Sequence, residues 1–303
     1  MALSTPIPPC SSLTHVPHGL ALRLALLGVL LLTTAVAAHA GDRLTATGGI
    51  ATVEGAGGGG LTPWALISGS GTEDQIGGSV HATQIEMTDF RLKETGVAVG
   101  IDDRLELSLS RLCFQLGSTV PGDAIREDVV GIKLKLTGDA VFEPDTWRPQ
   151  LAIGAEYKHN LDAIPVPRAI GARRDADVDY YLAATKLWFA AAAGHNVLGN
   201  LTLRATRANQ LGLLGFGGDR NDSYQWQPEA SLAVFVRDDL VAGLEYRHKP
   251  DNLSAFSEGS FYDTFLAWFP AKEVSVTAAY THLGTIADKR DQRGLFLQLQ
   301  LNR

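Results

Sequence analysis

The feature that most constrains this chain is a period-two alternation of apolar with small or charged residues, repeated segment after segment with turn residues between. Val130, Ile132, Leu134 and Leu136 alternate with Gly131, Lys133, Lys135 and Thr137, and Leu151, Ile153, Ala155 and Tyr157 alternate with Ala152, Gly154, Glu156 and Lys158. The pattern recurs at Leu240, Ala242, Leu244 and Tyr246 against Val241, Gly243, Glu245 and Arg247. It recurs again at Val274, Val276, Ala278 and Tyr280 against Ser275, Thr277, Ala279 and Thr281. Successive side chains on a strand point to opposite faces, so each segment predicts a strand with one apolar face. Short turns such as Asp102-Asp103, Gly138-Asp139 and Asp238-Asp239 join some strands, and longer polar connections over 162–177, 209–221 and 250–260 join others. Tight turns alternating with long loops is the rhythm of a membrane barrel. The segments predict about twelve to fourteen strands of about ten residues, enough to cross a bilayer at a tilt.

Two stretches fit less simply. Leu105, Leu107 and Leu109 keep one phase while Leu112, Phe114 and Leu116 keep the other, a slip near Arg111 that predicts a β-bulge. Tyr180 to Ala193 has no clear period and is read as a strand from its neighbours.

A soluble β-sandwich has the same period, so the polar face has to decide. A sandwich exposes a face rich in Lys, Glu and Asp, whereas here that face is Gly, Ala, Ser and Thr with isolated charges, which suits a lumen. Tyr157, Tyr246, Trp268, Phe269 and Tyr280 fall near strand ends, where interfacial aromatics belong. The last strand resembles the C-terminal assembly signal of outer-membrane barrels at Asp291, Gly294, Leu297 and Leu299, although it ends in Leu301-Asn302-Arg303 without the usual terminal aromatic. The fold class expected is therefore all-β, an antiparallel transmembrane β-barrel in the outer membrane, with the surrounding lipid and the barrel assembly machinery as partners.

The N-terminus reads as an address. Arg23, the apolar run Leu24 to Leu32 and the small residues ending in Ala38-His39-Ala40 predict a signal peptide over 1–40, too short in its apolar part for a spanning helix. Pro6, Pro8, Pro9 and Cys10 precede that run and suit neither helix nor strand, so a start of translation downstream of Met1 is expected. Cys10 also lies on the wrong side of the run for a lipid-modified cysteine. Without the leader, 25 basic residues face 33 acidic ones, a formal charge of −8, so nucleic acid is not an expected partner. Residues 41–60, with Gly55-Ala56-Gly57-Gly58-Gly59-Gly60, predict a flexible glycine-rich entry segment, and 61–303 the barrel.

Four strings carry a family resemblance: TGGIATVEGA from Thr47, YLAATKLW from Tyr181, LRATRANQLGLLGFGGDR from Leu203 and EYRHKPDNLSAF from Glu245. They resemble a bacterial domain-of-unknown-function family, DUF3034-like, of exported, outer-membrane-barrel-like proteins. The resemblance spans nearly all of the chain after the leader. It implies the barrel architecture and carries no substrate or functional residues.

Catalytic patterns are weak. A rim-located lipid hydrolase needs Ser beside His, and the candidates Ser108, Ser110, His195 and His282 lie in no recognisable motif. His81, His159, His195, His248 and His282 are too scattered for a metal site, and the glycine run is no phosphate loop, because no Lys-Ser or Lys-Thr follows it. No enzymatic activity, catalytic residue, metal or cofactor is expected. Loop 209–222 carries Leu211, Leu213, Leu214 and Phe216, apolar residues that call either for packing against neighbouring loops or for folding inward to constrict the lumen. Lys133, Lys135, Glu156, Lys158, Arg204, Glu245 and Arg247 are the lumen-lining candidates, with two contrary consequences. As rings of charge they would set the selectivity of a channel or transporter for a small solute; paired with one another they would close a structural or assembly barrel. Glu156 and Lys158 on one strand match Glu245 and Arg247 on another within two look-alike segments, Gly154 to His159 and Gly243 to His248.

Overall fold

The computed structural model describes residues 43–303 apart from 144 and 163–165; the expected leader lies outside the described residues. Among the described residues fourteen strands run in chain order: β1 Ile50–Ala51, β2 Gly57–Gly58, β3 Ile76–Met87, β4 Arg91–Ile101, β5 Leu105–Gln115, β6 Ala124–Thr137, β7 Gln150–Asn160, β8 Ala176–Ala192, β9 His195–Thr206, β10 Gln225–Arg237, β11 Leu240–Arg247, β12 Phe261–Ala271, β13 Val274–His282 and β14 Arg293–Asn302. Strands β3 to β14 make a closed twelve-stranded antiparallel barrel, each pairing with the next and β14 returning to β3 through Phe296 opposite Ile85 and Leu299 opposite Ala82. Closure removes every sheet edge, the condition for β-structure to stand in lipid.

The outward face is the apolar one. Ile132, Ile153, Leu182, Leu201, Leu244, Leu266, Leu297 and Leu299 are exposed around the wall. Tyr157, Tyr180, Trp226, Tyr246, Tyr262 and Tyr280 ring it near one end, and Trp188 and Trp268 stand near the other. With its closed wall, apolar belt and aromatic girdles, the protein is an outer-membrane β-barrel. Phe269, expected in a girdle, instead faces inward and is buried.

The turns give the barrel its direction. Connections at 102–104, 193–194, 238–239 and 272–273 are tight and share one end, which is the periplasmic side by the usual asymmetry of these barrels. Asp102 and Asp103 both adopt positive φ, 54° and 47°, as the central residues of a tight turn closed by the Arg104 N–H donating to the Ile101 carbonyl, a backbone that Asp tolerates. The long connections 161–175, 207–224 and 248–260 lie at the opposite, outer end.

No bulge occurs at Arg111. It pairs with Thr95 and Asp128 in unbroken register. Leu107 points to lipid, whereas Leu112 and Phe114 point inward and are buried, so the phase slip marks an apolar zone of the lumen. The register shifts that do occur, at Lys135/Thr137, Trp188/Ala192, Phe235/Arg237 and Trp268/Ala271, fall at the periplasmic rim, where bulges let a barrel turn its corners. The period-free stretch is indeed a strand, β8.

The glycine-rich segment overturns the expectation of a flexible entry. Residues 49–71 are buried without interruption. They form a hairpin inside the barrel, with β1 paired to β2, and the wall begins at Ile76 rather than at residue 61. The reason is spatial. A Cβ at Gly59 would overlap the Glu245 carboxylate, and Gly55 turns at φ 91° against Ser110. Glycine here is the condition for threading backbone between wall side chains. Leu61, Trp64 and Leu66 follow, packed in the same core as the inward aromatics Phe235, Phe265 and Phe269.

Candidate functional site

A backbone inside a barrel lumen has to satisfy its peptide groups on wall side chains. Gln300 accepts from the Ala51 N–H at 2.7 Å and Gln298 donates to the Ala51 carbonyl at 2.8 Å. Glu106 accepts from the N–H groups of Gly57 (2.9 Å) and Ser68 (2.8 Å), while Lys133 donates to the carbonyls of Gly57 (2.7 Å) and Leu66 (2.9 Å) and pairs with Glu106 at 3.1 Å. Thr185 accepts from the Ala65 N–H, Gln150 donates to the Ala65 carbonyl, and Thr202 donates to that of Pro63. Glu245 accepts from the Leu61 N–H and from the hydroxyls of Thr62 and Ser231, each at 2.8 Å.

At the hairpin tip stands Glu54, the sole charged residue between Arg43 and Glu73. Its carboxylate is bound by Lys158 from β7 and by both terminal nitrogens of Arg247 from β11, and Arg204 of β9 lies 3.6 Å away. All four residues are almost fully buried. The wall partly neutralises the cations: Lys158 meets Asp179 at 2.6 Å, and Arg204 meets Glu156 and Glu229, each at 2.6 Å. Glu54, Glu156 and Asp179 bring carboxylate oxygens within 4.8 Å of one another, the spacing of a cation site, and the Lys158 ammonium stands among them.

Six of the seven lumen-lining candidates, Lys133, Glu156, Lys158, Arg204, Glu245 and Arg247, are buried in this interior, and each touches the hairpin or a residue that does. Lys135 does not join them. It sits at the periplasmic mouth with Asp103 (2.6 Å) and Asp139 (3.2 Å). Sequence reasoning missed Glu54, Glu106, Asp179 and Glu229. Glu106 and Asp179 were recoverable, because β-pairing sets them opposite Lys133 and Glu156. A single carboxylate in a long uncharged segment was the available signal for Glu54.

The outer end is shut as well. Asn209 to Phe216 is buried, and Leu211 and Leu213 close over Val53 and Leu61 of the hairpin together with Phe114 and Phe261. Asn160, at the end of β7, donates to the Leu213 carbonyl at 2.7 Å, and Lys249, just past β11, donates to Gln210 at 2.9 Å. Lys249 also lies 3.4 Å from Glu258. Burial pushes the Lys249 ammonium down to about 8, with Glu258 opposing the shift.

The hydrolase candidates do not meet. Ser108 and Ser110 face the lumen, His195 contacts the Phe235 carbonyl, and His282 stacks on Tyr262 at 4.4 Å. A Ser–His contact exists elsewhere, between Ser260 and His248 Nδ1 at 2.7 Å, on the outer rim. Tyr246 lies 3.1 Å from the same nitrogen, so the trio is an interfacial polar cluster without a carboxylate to orient the ring among the described residues.

A model of a family described as protein of unknown function, DUF3034, matches residues 47–300. No curated protein matches the sequence. Among solved structures the chain is similar to the KdgM porin, at 9% identity over 74% of this chain and 98% of that one, TM-score 0.46. It is similar to the NanC porin at 8% identity over 74% and 98%, TM-score 0.47. It is also similar to the COG4313 outer membrane channel from Pseudomonas putida F1, at 12% identity over 78% and 97%, TM-score 0.43. At such identities the likeness is one of barrel fold.

Proposed function

The chain belongs to the DUF3034 family, and we propose that it is an outer-membrane channel for a small solute, held shut by its own N-terminal hairpin and opened when that hairpin shifts. The observation that carries the reading is the chemistry of the plug. A barrel serving only as a structural element fills its interior most stably with apolar side chains, because burying ions costs several kcal/mol each, roughly, before pairing offsets it. Here the hairpin is fastened by one buried carboxylate and by side-chain hydrogen bonds to its backbone, groups that water can replace one for one. The fastenings are polar and reversible.

The structural-barrel reading has its own support in the apolar packing of Trp64 and Leu61 and in the loop folded over the outer end. A reversible lock separates the two. Thr62 and Ser231 place their hydroxyls 2.5 Å apart, hairpin against wall. In the full chain carrying Thr62→Cys and Ser231→Cys, a channel shows voltage-driven openings in a planar bilayer when reduced and none when oxidised. Silence in both states, in protein whose heat-dependent gel shift proves it folded, would establish the structural barrel instead.

A further inference from the structure

Withdrawal of the hairpin leaves a wall whose charges do not balance. Each cation of the cluster around the hairpin keeps a wall carboxylate when Glu54 leaves: Lys133 keeps Glu106 at 3.1 Å, Lys158 keeps Asp179 at 2.6 Å, Arg204 keeps Glu156 and Glu229 at 2.6 Å, and Arg247 keeps Glu229 at 3.4 Å, while Lys186, buried near the periplasmic end of β8, donates to the Glu143 carbonyl at 2.6 Å. Lys135 stays with its two aspartates at the mouth. Three inward carboxylates have no basic partner within ion-pair distance among the described residues: Glu127, Glu245 and Asp263. The carboxylate oxygens of Glu127, and Oδ1 of Asp263, also lack any hydrogen-bond partner there, although both residues are more than nine-tenths buried.

Glu245 and Asp263 stand directly opposite each other on β11 and β12, with both side chains inward. The hairpin presently caps Glu245 through Leu61 N–H and Thr62 O–H. Its departure uncaps that carboxylate and admits water, which allows a buried carboxyl to ionise. The opened lumen then carries two facing carboxylates and an excess of negative wall charge, and a ring of carboxylates in a pore favours cations.

Resting on the channel reading above, we infer that the opened lumen passes cations in preference to anions, and that Glu245 and Asp263 determine that preference. An anionic solute, the class that the Lys158, Arg204 and Arg247 cluster suggests at first sight, is disfavoured because the wall itself already occupies those cations.

The test is the reversal potential of the full-length protein in a planar bilayer under a potassium chloride gradient, measured during openings of the wild type and of Asp263→Asn and Glu245→Gln. The expected result is a reversal potential on the potassium side, moved toward zero by either substitution. A reversal potential at zero or on the chloride side overturns the inference while leaving the gated channel intact. Absence of any conductance, even with Glu54→Ala, removes the channel reading and the inference together. Should both wall variants lose the heat-dependent gel shift, the sign of the wild-type potential decides alone.

Discussion

Strands β7 and β11 carry nearly the same six residues, and the structure gives them the same tasks by different means. In each, an inward glycine leaves room for an aromatic ring from the next strand, Tyr181 over Gly154 and Phe265 over Gly243. In each, the cation two residues after the inward Glu reaches Glu54, and a residue just beyond fastens the outer loop, Asn160 on one side and Lys249 on the other. The carboxylates differ. Glu156 is bound into the ion cluster through Arg204, whereas Glu245 has no cation and caps the hairpin backbone. β7 therefore belongs mainly to the wall's own charge network, and β11 mainly to the plug. A motif repeated in sequence has been divided between holding the barrel and holding its contents.

The largest way to break this symmetry is to remove what both strands grip. Glu54→Ala removes the bonds that both cations make to the hairpin while leaving each its wall carboxylate, Asp179 for Lys158 and Glu229 for Arg247, and so weakens the closed state by more than any single-strand cut, at about 1.5–3 kcal/mol for each charged hydrogen bond lost. It is expected to raise the open probability in bilayer recordings while leaving the heat-dependent gel shift unchanged. The division of labour is then tested by cutting one grip at a time. Arg247 makes two bonds to Glu54 and one to the Leu61 carbonyl, whereas Lys158 divides its bonds between Glu54 and Asp179. Arg247→Met should therefore open the channel more than Lys158→Met, by about 1.5–3 kcal/mol, the worth of a charged hydrogen bond. Equal effects in single-channel recordings would show that the two strands are interchangeable.

Where the strands agree, matched substitutions should agree. Gly154→Ala and Gly243→Ala each drive a methyl group into an aromatic ring, and each should lower the melting temperature of the folded band through about 1–3 kcal/mol of overpacking. A large effect from one alone would mean that only that ring is fixed in place. The smallest effect expected is one of pH. Lys249 loses its proton near 8 in the closed loop and near the ordinary value of about 10.4 in an open one. The closed loop binds fewer protons across that window, so it gains stability as pH rises from about 8 to 10. Limited proteolysis of loop 207–224 should slow over that range in the wild type and stay flat in Lys249→Gln.

The wall was legible because its face pattern is enforced by lipid on one side: Ile132, Leu134, Ile153 and Leu244 have no alternative but to point outward. The plug was not legible, because a lumen imposes no period. Gly57 and Gly59 read as flexibility when their missing side chains in fact make room for Ser68, Glu106 and Glu245. Leu112 and Phe114 read as a break in register because a polar lumen gives them no inward place, whereas the interior around them is apolar, lined by Val53, Leu61, Leu211 and Phe261. Three of the seven candidate charges, Lys158, Arg204 and Arg247, converge on Glu54, which lies outside every strand.

Ala51, among the first residues of the described chain, is bonded on both sides to glutamines of the last strand, 249 and 247 positions later. That same strand closes the seam against β3. Contacts so distant in sequence form late and slowly, since the intervening chain has to be ordered before they repay it. Closing the wall and seating the hairpin thus draw on one strand, β14, so both wait on its arrival.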